Sequence, residues 1–191
     1  LAPGESREIH WVAPLEGALP ARIDAARDQA AMAEVWRREL DEMKLQVPAE
    51  GQPVADTLRT ALAHMLISRI GPRLQPGTRS YSRSWIRDGA MISEGLLRLG
   101  RPEVVKEYVE YYAPYQFENG KVPCCVDARG SDPVPENDSH GELIFNIAEY
   151  YRYTGDKAFL KKMWPHVQGA FAYMEELRLS ERTEANRAVN A

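Results

Sequence analysis

Nine consecutive residues, Tyr81-Ser82-Arg83-Ser84-Trp85-Ile86-Arg87-Asp88-Gly89, gather two guanidiniums, a carboxylate and two large aromatic rings in one short stretch. The ligand that matches such a set is neutral, dense in hydroxyls and apolar on its flat faces, which describes a sugar ring. In an extended stretch side chains alternate, so Tyr81, Arg83, Trp85 and Arg87 would share one side. Trp85 would stack on the ring, and Arg87 would donate paired hydrogen bonds in fixed geometry to neighbouring hydroxyls. Asp88 would accept from hydroxyls with charge-assisted strength. The same residue types admit a plainer reading: Asp88 caps the next helix, Arg87 pairs with a buried carboxylate and Trp85 fills core.

A second polar group lies downstream. Lys121, Asp127, Arg129, Asp132, Glu136, Asn137, Asp138 and His140 crowd one long loop and its exit. Lys121, Asp127, Glu136 and Asp138 are further candidates for sugar contact, with capping or solvation as the alternative for Glu136 and Asp138. No metal site is expected. His140 stands apart in sequence from His10, His64 and His166, and metal ligation needs several convergent ligands. Cys124 and Cys125 are adjacent, where a mutual bridge is strained, and are read as small buried side chains. Neither a glycine-rich phosphate loop nor a Gly-x-Ser-x-Gly elbow occurs, so no cofactor is expected.

Helices must position these groups. Residues 21–45 carry Ile23, Ala26, Ala30, Ala33, Trp36 and Leu40 at helical spacing. Val54, Leu58, Ala61, Leu62, Met65, Leu66 and Ile70 form a second apolar stripe, stopped by Gly71 and Pro72. Asp88 is expected to cap a third helix that Gly100 closes, and Pro102 to open a fourth that ends near Pro114. The loop 115–138 follows; loops of this length are commonly functional. Ser139-His140-Gly141-Glu142 has the capping-box pattern and opens a fifth helix. Thr154-Gly155-Asp156 ends it and caps the next, which Pro165 is expected to divide in two. Strand alternation is absent outside the loops. The fold class is all-α, built of helical hairpins with short turns on one rim and long loops on the other, which marks the long-loop rim as the working end. Residues 1–20, with Pro3, Gly4, Pro14, Gly17 and Pro20, read as an irregular arm or the end of an upstream domain, and 21–191 as the helical domain.

Bulk properties narrow the partners. A chain of 191 residues with 44% hydrophobic and 27% charged content can bury a core as an ordinary globular domain. A net charge of −4 without a basic patch argues against nucleic acid. The apolar run from Ala61 to Ile70 is interrupted by His64, Ser68 and Arg69, so no membrane partner is expected. The non-methionine start and the polar tail from Glu181 to Ala191 suggest a processed or truncated piece.

Trp85-Ile86-Arg87-Asp88-Gly89, placed after a first barrel helix, resembles the Trp-x-Arg-Asp element of the six-hairpin glycosidases, the glucoamylase-like and glycogen-debranching-like enzymes. Val134-Pro135-Glu136-Asn137-Asp138-Ser139-His140-Gly141 loosely resembles their second active-site loop, with Ser139 and His140 separating Asp138 from the glycine. Tyr153-Thr154-Gly155-Asp156 followed by Trp164-Pro165 is similar to another phrase of these barrels. The likeness covers about Val54 to Leu179. It implies an (α/α)₆ toroid with a carbohydrate site at the long-loop rim, Arg87 and Asp88 holding the hydroxyls of the sugar at the cleavage position and Trp85 walling the pocket. It further implies hydrolysis with inversion. Hairpins of roughly 35 residues would need more than about 200 for six, so from Val54 this chain reaches the fifth helix of twelve. The resemblance puts the general acid and base beyond Ala191, leaving an inactive sugar-gripping part whose open flanks favour self-association. Two other readings remain from other classes: a non-catalytic helical-repeat binding module, and another α-toroid enzyme such as a polysaccharide lyase, for which Tyr81 or His140 would serve as base.

Overall fold

The computed structural model describes residues 1–14, 17–19 and 21–189. Pro20, Asn190 and Ala191, which figure in the expected arm and tail, lie outside them. Contacts divide the chain into two compact units, residues 1–44 and 45–191. Among its described residues the first holds one helix, α1 (Ala25–Asp41), whose N-cap Asp24 accepts from the Arg27 backbone N–H at 3.1 Å. No residue of α1 is buried.

The second unit carries α2 (Gln52–Ile67), α3 (Ile86–Arg98), α4 (Pro102–Tyr112), α5 (Ser139–Thr154), α6 (Lys157–Ser180) and α7 (Glu184–Val189). Among the described residues the only sheet is small and antiparallel, β1 (Ser84–Trp85), β2 (Cys125–Asp127) and β3 (Gly130–Ser131), in that spatial order. The protein is therefore an all-α fold of helical hairpins. The α3–α4 and α5–α6 turns are short, and the long connections 68–85 and 113–138 lie at the opposite end. The sheet sits inside those connections, where Ser84 pairs with Val126 and Trp85 with Cys125. No helix among the described residues is long and apolar enough to cross a membrane.

The core lies between α3, α4, α5 and α6. Leu96, Val105, Tyr108, Tyr112, Leu143, Ile147, Phe159 and Met163 are all buried there. Gly89 allows the closest approach of α3 to α4: a Cβ at this position would fall 1.9 Å from the Tyr108 hydroxyl oxygen. The α4 tyrosines also reach the long-loop end, since the Tyr112 hydroxyl donates to the Pro123 carbonyl at 2.9 Å. Gln116 donates to the His166 carbonyl at 3.1 Å and fastens the long loop to α6.

Local sequence logic holds at the α5–α6 turn. Gly155 is left-handed at φ 67°, and Asp156 accepts from the Phe159 N–H at 2.9 Å. It fails at three other points. First, Asp88 is not the cap of α3. Trp85 occupies that position in extended conformation, and the Ile86 N–H donates to the Cys124 carbonyl at 3.0 Å. A β-ladder thus satisfies a backbone donor that a side-chain cap would otherwise serve, leaving Asp88 in the first helical turn. Second, the expected Ser139–Glu142 capping box does not form. Asp138 holds the cap position without a side-chain capping bond, and the Ser139 Oγ is buried without a partner. Third, Pro165 does not divide the last long helix; α6 runs unbroken through it. Phe159 and Met163 before the proline and Ala170 after it are all buried, so packing on both sides offsets an interior-proline cost of about 3 kcal/mol.

Candidate functional site

The long-loop end is built where the 68–85 connection and the 113–138 connection meet the first turns of α3 and α5. Two arginines four residues apart join them. Arg83 lies at 2.6 Å from Asp132 through Nη2 and 2.9 Å from Asp127 through Nε. Arg87 donates from Nε to Asp138 at 2.5 Å and from Nη2 to Glu136 at 2.7 Å. Each guanidinium therefore spans two carboxylates of the long loop. Both are raised above the ordinary arginine value, chiefly by the hydrogen bond to Asp132 for Arg83 and to Asp138 for Arg87.

The carboxylates respond in kind. The Arg87 hydrogen bond lowers Asp138, and the Arg129 side chain lowers Asp127. Asp132 is lowered first by the Val134 backbone N–H and then by Arg83. Glu142, one turn into α5, is shifted the opposite way. Desolvation raises it, and the Asp138 charge adds to that. The Asp138 carboxylate turns to Arg87 instead of to the helix behind it, which explains the missing cap of α5.

The extended face expected for residues 81–87 forms only in part. Arg79–Tyr81 is a 3₁₀ turn and only Ser84–Trp85 is strand. Tyr81 and Trp85 still meet, with ring centroids 6.2 Å apart, and the Arg83 guanidinium lies 5.6 Å above the Trp85 ring. Arg87 leaves this group because the helix begins at Ile86 and rotates its side chain toward Asp138. One face of the Trp85 indole is thus occupied by Arg83.

Three hollows open at this end. The first, about 660 Å³, is lined by Ala90, Met91 and Glu94 of α3, by Asp138, and by Gly141, Glu142 and Phe145 of α5. The second, about 320 Å³, is bounded by His64, Met65, Ser68, Gln75, Pro76, Asp88, Met91 and Ile92. Met91, 73% exposed, lines both. The third, about 770 Å³, takes in Tyr115, Phe117, Lys121, Ser131 and Pro133. The Lys121 ammonium donates to the Pro133 carbonyl at 2.5 Å there. The expected residues are therefore distributed. Asp88 and Asp138 line two hollows that meet at Met91. Arg87 and Glu136 are tied to Asp138, Lys121 lines the third hollow, and Tyr81, Trp85 and Asp127 gather around Arg83.

His140 is structural, buried with its Nδ1 accepting from the Val122 N–H at 3.0 Å. Cys124 and Cys125 are buried free thiols, and burial pushes the Cys125 thiol up to about 12. Their sulfurs and an Asp132 oxygen lie within 4.8 Å of one another, spacing that suits a metal. The Asp132 oxygen facing Cys125 is, however, the one that accepts from Arg83, so a guanidinium already neutralises it. Sequence reading missed Gln75, which is buried in the wall of the second hollow with its Oε1 lacking a partner. Its only local signal is the following Pro76, which marks a turn.

The family described as amylo-alpha-1,6-glucosidase matches residues 52–179, more than half of the chain. An uncharacterized glycosyl hydrolase of Methanocaldococcus jannaschii is 25% identical over 111 residues, which cover 57% of this chain and 18% of that relative. The chain thus spans under a fifth of the length of the curated relative it matches. No solved structure matches it.

Proposed function

Because the chain belongs to the amylo-alpha-1,6-glucosidase family, we propose that it forms the sugar-holding part of a glycoside hydrolase acting on an α-glucan, with the two hollows beside Met91 taking the sugar units. The observation that carries this reading is that Asp88, in the first turn of α3, and Asp138, at the start of α5, line adjoining hollows that share one exposed methionine. Carboxylates that accept from hydroxyls, next to apolar surface that suits ring faces, are the chemistry of carbohydrate recognition. In this reading Arg87 holds Asp138 and Glu136 in place and uses one of its remaining N–H groups for a hydroxyl. Trp85, Tyr81 and Asp127 support that wall, and Lys121 serves the third hollow.

Hydrolysis needs two carboxylates at set separation across the scissile bond. We assign that acid and base to residues outside this chain, with inversion at the anomeric carbon, so the 191 residues alone bind without cleaving. The test is titration with a hydroxylated piperidine iminosugar and with an α-1,6-linked glucose disaccharide, read by tryptophan fluorescence and calorimetry. Saturable binding is expected, weakened at least about tenfold in Asp88→Ala and in Arg87→Ala, by the loss of a charged hydrogen bond. No binding to the unaltered chain, or equal binding by both variants, overturns the reading. Exposed Val54 and Ile67 on α2, with Trp164, Phe171 and Leu179 on α6, leave apolar flanks that promote association. Light scattering should show species larger than 21.6 kDa.

A further inference from the structure

Gln75 occupies a turn between α2 and β1 that the fold holds in place. Leu74 before it is buried, and the Leu74 carbonyl accepts from the Ser84 hydroxyl at 2.7 Å. Gln75 as a whole residue is 2% exposed, yet its amide oxygen accepts no hydrogen bond from any described residue. Buried acceptors are nearly always satisfied, because burial strips their water. An orphan amide oxygen in a cavity wall is one that a turn of its side-chain amide can offer to a donor in the cavity.

The chemistry of the hollow defines the donor. Asp88 and the Gln75 oxygen both accept. Ser68 and His64 offer groups that donate or accept, and Met65, Pro76, Met91 and Ile92 supply apolar wall. A ligand that fits must present donors on one edge, be able to accept on another, and carry an apolar face. A ring with hydroxyls on adjacent carbons does all three. At about 320 Å³ the hollow is at the small end of ligand sites, suited to one ring.

We propose that Gln75 is a specificity-determining binding residue of this end of the molecule: its amide oxygen accepts from a hydroxyl of the single sugar ring whose neighbouring hydroxyl is held by Asp88. This rests on the carbohydrate reading above and adds to it a hydroxyl contact from a different loop. Arg87 belongs to the Asp138 bridge, so the small hollow selects its ring through Gln75 and Asp88, while the larger hollow across Met91 takes the next unit.

The experiment uses the whole chain and the same iminosugar, together with its monodeoxy derivatives. Gln75→Met keeps the length and removes the orphan acceptor. Binding is expected to fall about tenfold to a hundredfold, the loss of one buried hydrogen bond, while the melting temperature is held or raised. One monodeoxy derivative should bind the unaltered chain weakly and be indifferent to Gln75→Met. In the unaltered chain, the Gln75 side-chain amide resonances should move on titration. Unchanged affinity in Gln75→Met, or amide resonances that stay fixed at saturation, overturns the role of Gln75 and leaves the carbohydrate reading standing. If the unaltered chain binds no sugar at all, both fall together. Should Gln75→Met fail to fold, the resonance titration decides alone.

Discussion

Arg83 and Arg87 perform the same linkage in different surroundings. Each spans two carboxylates of the long loop, from positions one helical turn apart in sequence. The Arg83 side chain is 26% exposed, and its partners Asp127 and Asp132 are 15% and 19% exposed. Arg87 is 51% exposed, and Glu136 and Asp138 are 33% and 41%. The inner bridge has further partners: Arg129 donates to Asp127, the Val134 N–H donates to Asp132, and the Trp85 ring lies under the guanidinium, whose Nε is paired with Asp127 by charge without hydrogen-bond alignment. The outer bridge ends at Asp138, which lines the larger hollow. One bridge is closed on itself and the other faces open space. The inner bridge sets the position of the two loops, and the outer one has capacity left over for a ligand.

The largest effect expected from this contrast is on stability at Arg83. Arg83→Ala leaves two part-buried carboxylates close together without their shared cation. A fully buried pair broken this way costs about 3–5 kcal/mol. Discounted for the exposure here, about 2 kcal/mol is expected, a fall of roughly 4–8 °C in melting temperature for a unit of this size. Calorimetry that finds Arg83→Ala no less stable than Arg87→Ala would remove the distinction between the two bridges.

Acid should dismantle the bridges in a predictable direction. Asp127, Asp132 and Asp138 all have folded values lowered below the usual carboxylate range. A lowered acid contributes its stability above the unfolded value, near 4, and loses it as the pH falls through the folded value. Glu142 runs oppositely: raised by desolvation, it opposes folding when ionised and ceases to as it protonates. Denaturant midpoints followed from pH 6 to pH 3 should therefore fall in the unaltered protein. The slope should flatten in Arg83→Ala and steepen in Glu142→Gln. A flat profile in the unaltered protein would show that the carboxylates are not clamped in solution.

These bridges also separate what local sequence reveals from what it hides. The α5–α6 turn was legible because its causes lie within six residues: Gly155 takes the left-handed conformation and Asp156 caps onto Phe159. Helices α1 to α6 were legible from apolar spacing and from Gly-Pro stops, whereas α7, in a tail read only as polar, was not. The starts of α3 and α5 were not. Trp85 caps α3 by pairing with Cys125, and Asp138 is drawn off α5 by Arg87; those partners are 40 and 51 residues away. The residue types of the candidate site were visible, as was the alternative that Arg87 pairs with a carboxylate. Their division among three hollows was not, because it depends on where the second long loop folds back. Gln75 was invisible for a different reason: its turn lines a hollow shared with α2 and α3, a packing that no local pattern around it records.

The smallest effects belong to the outer bridge, and they sharpen the comparison most. Exposed ion pairs contribute about 0–1 kcal/mol and are screened by salt. Arg87→Ala should therefore cost no more than about 1 kcal/mol, and raising salt from about 0.05 to 1 M should erase most of that difference, since the screening length falls to roughly 3 Å. Arg83→Ala should keep most of its deficit at high salt, because its partners are less exposed to counterions. Sugar binding gives the complementary readout. If Arg87 holds Asp138 for a ligand, Arg87→Ala loses affinity far beyond its stability deficit, at low and high salt alike. A loss of affinity that disappears with the stability difference would make Arg87 a loop tether and nothing more.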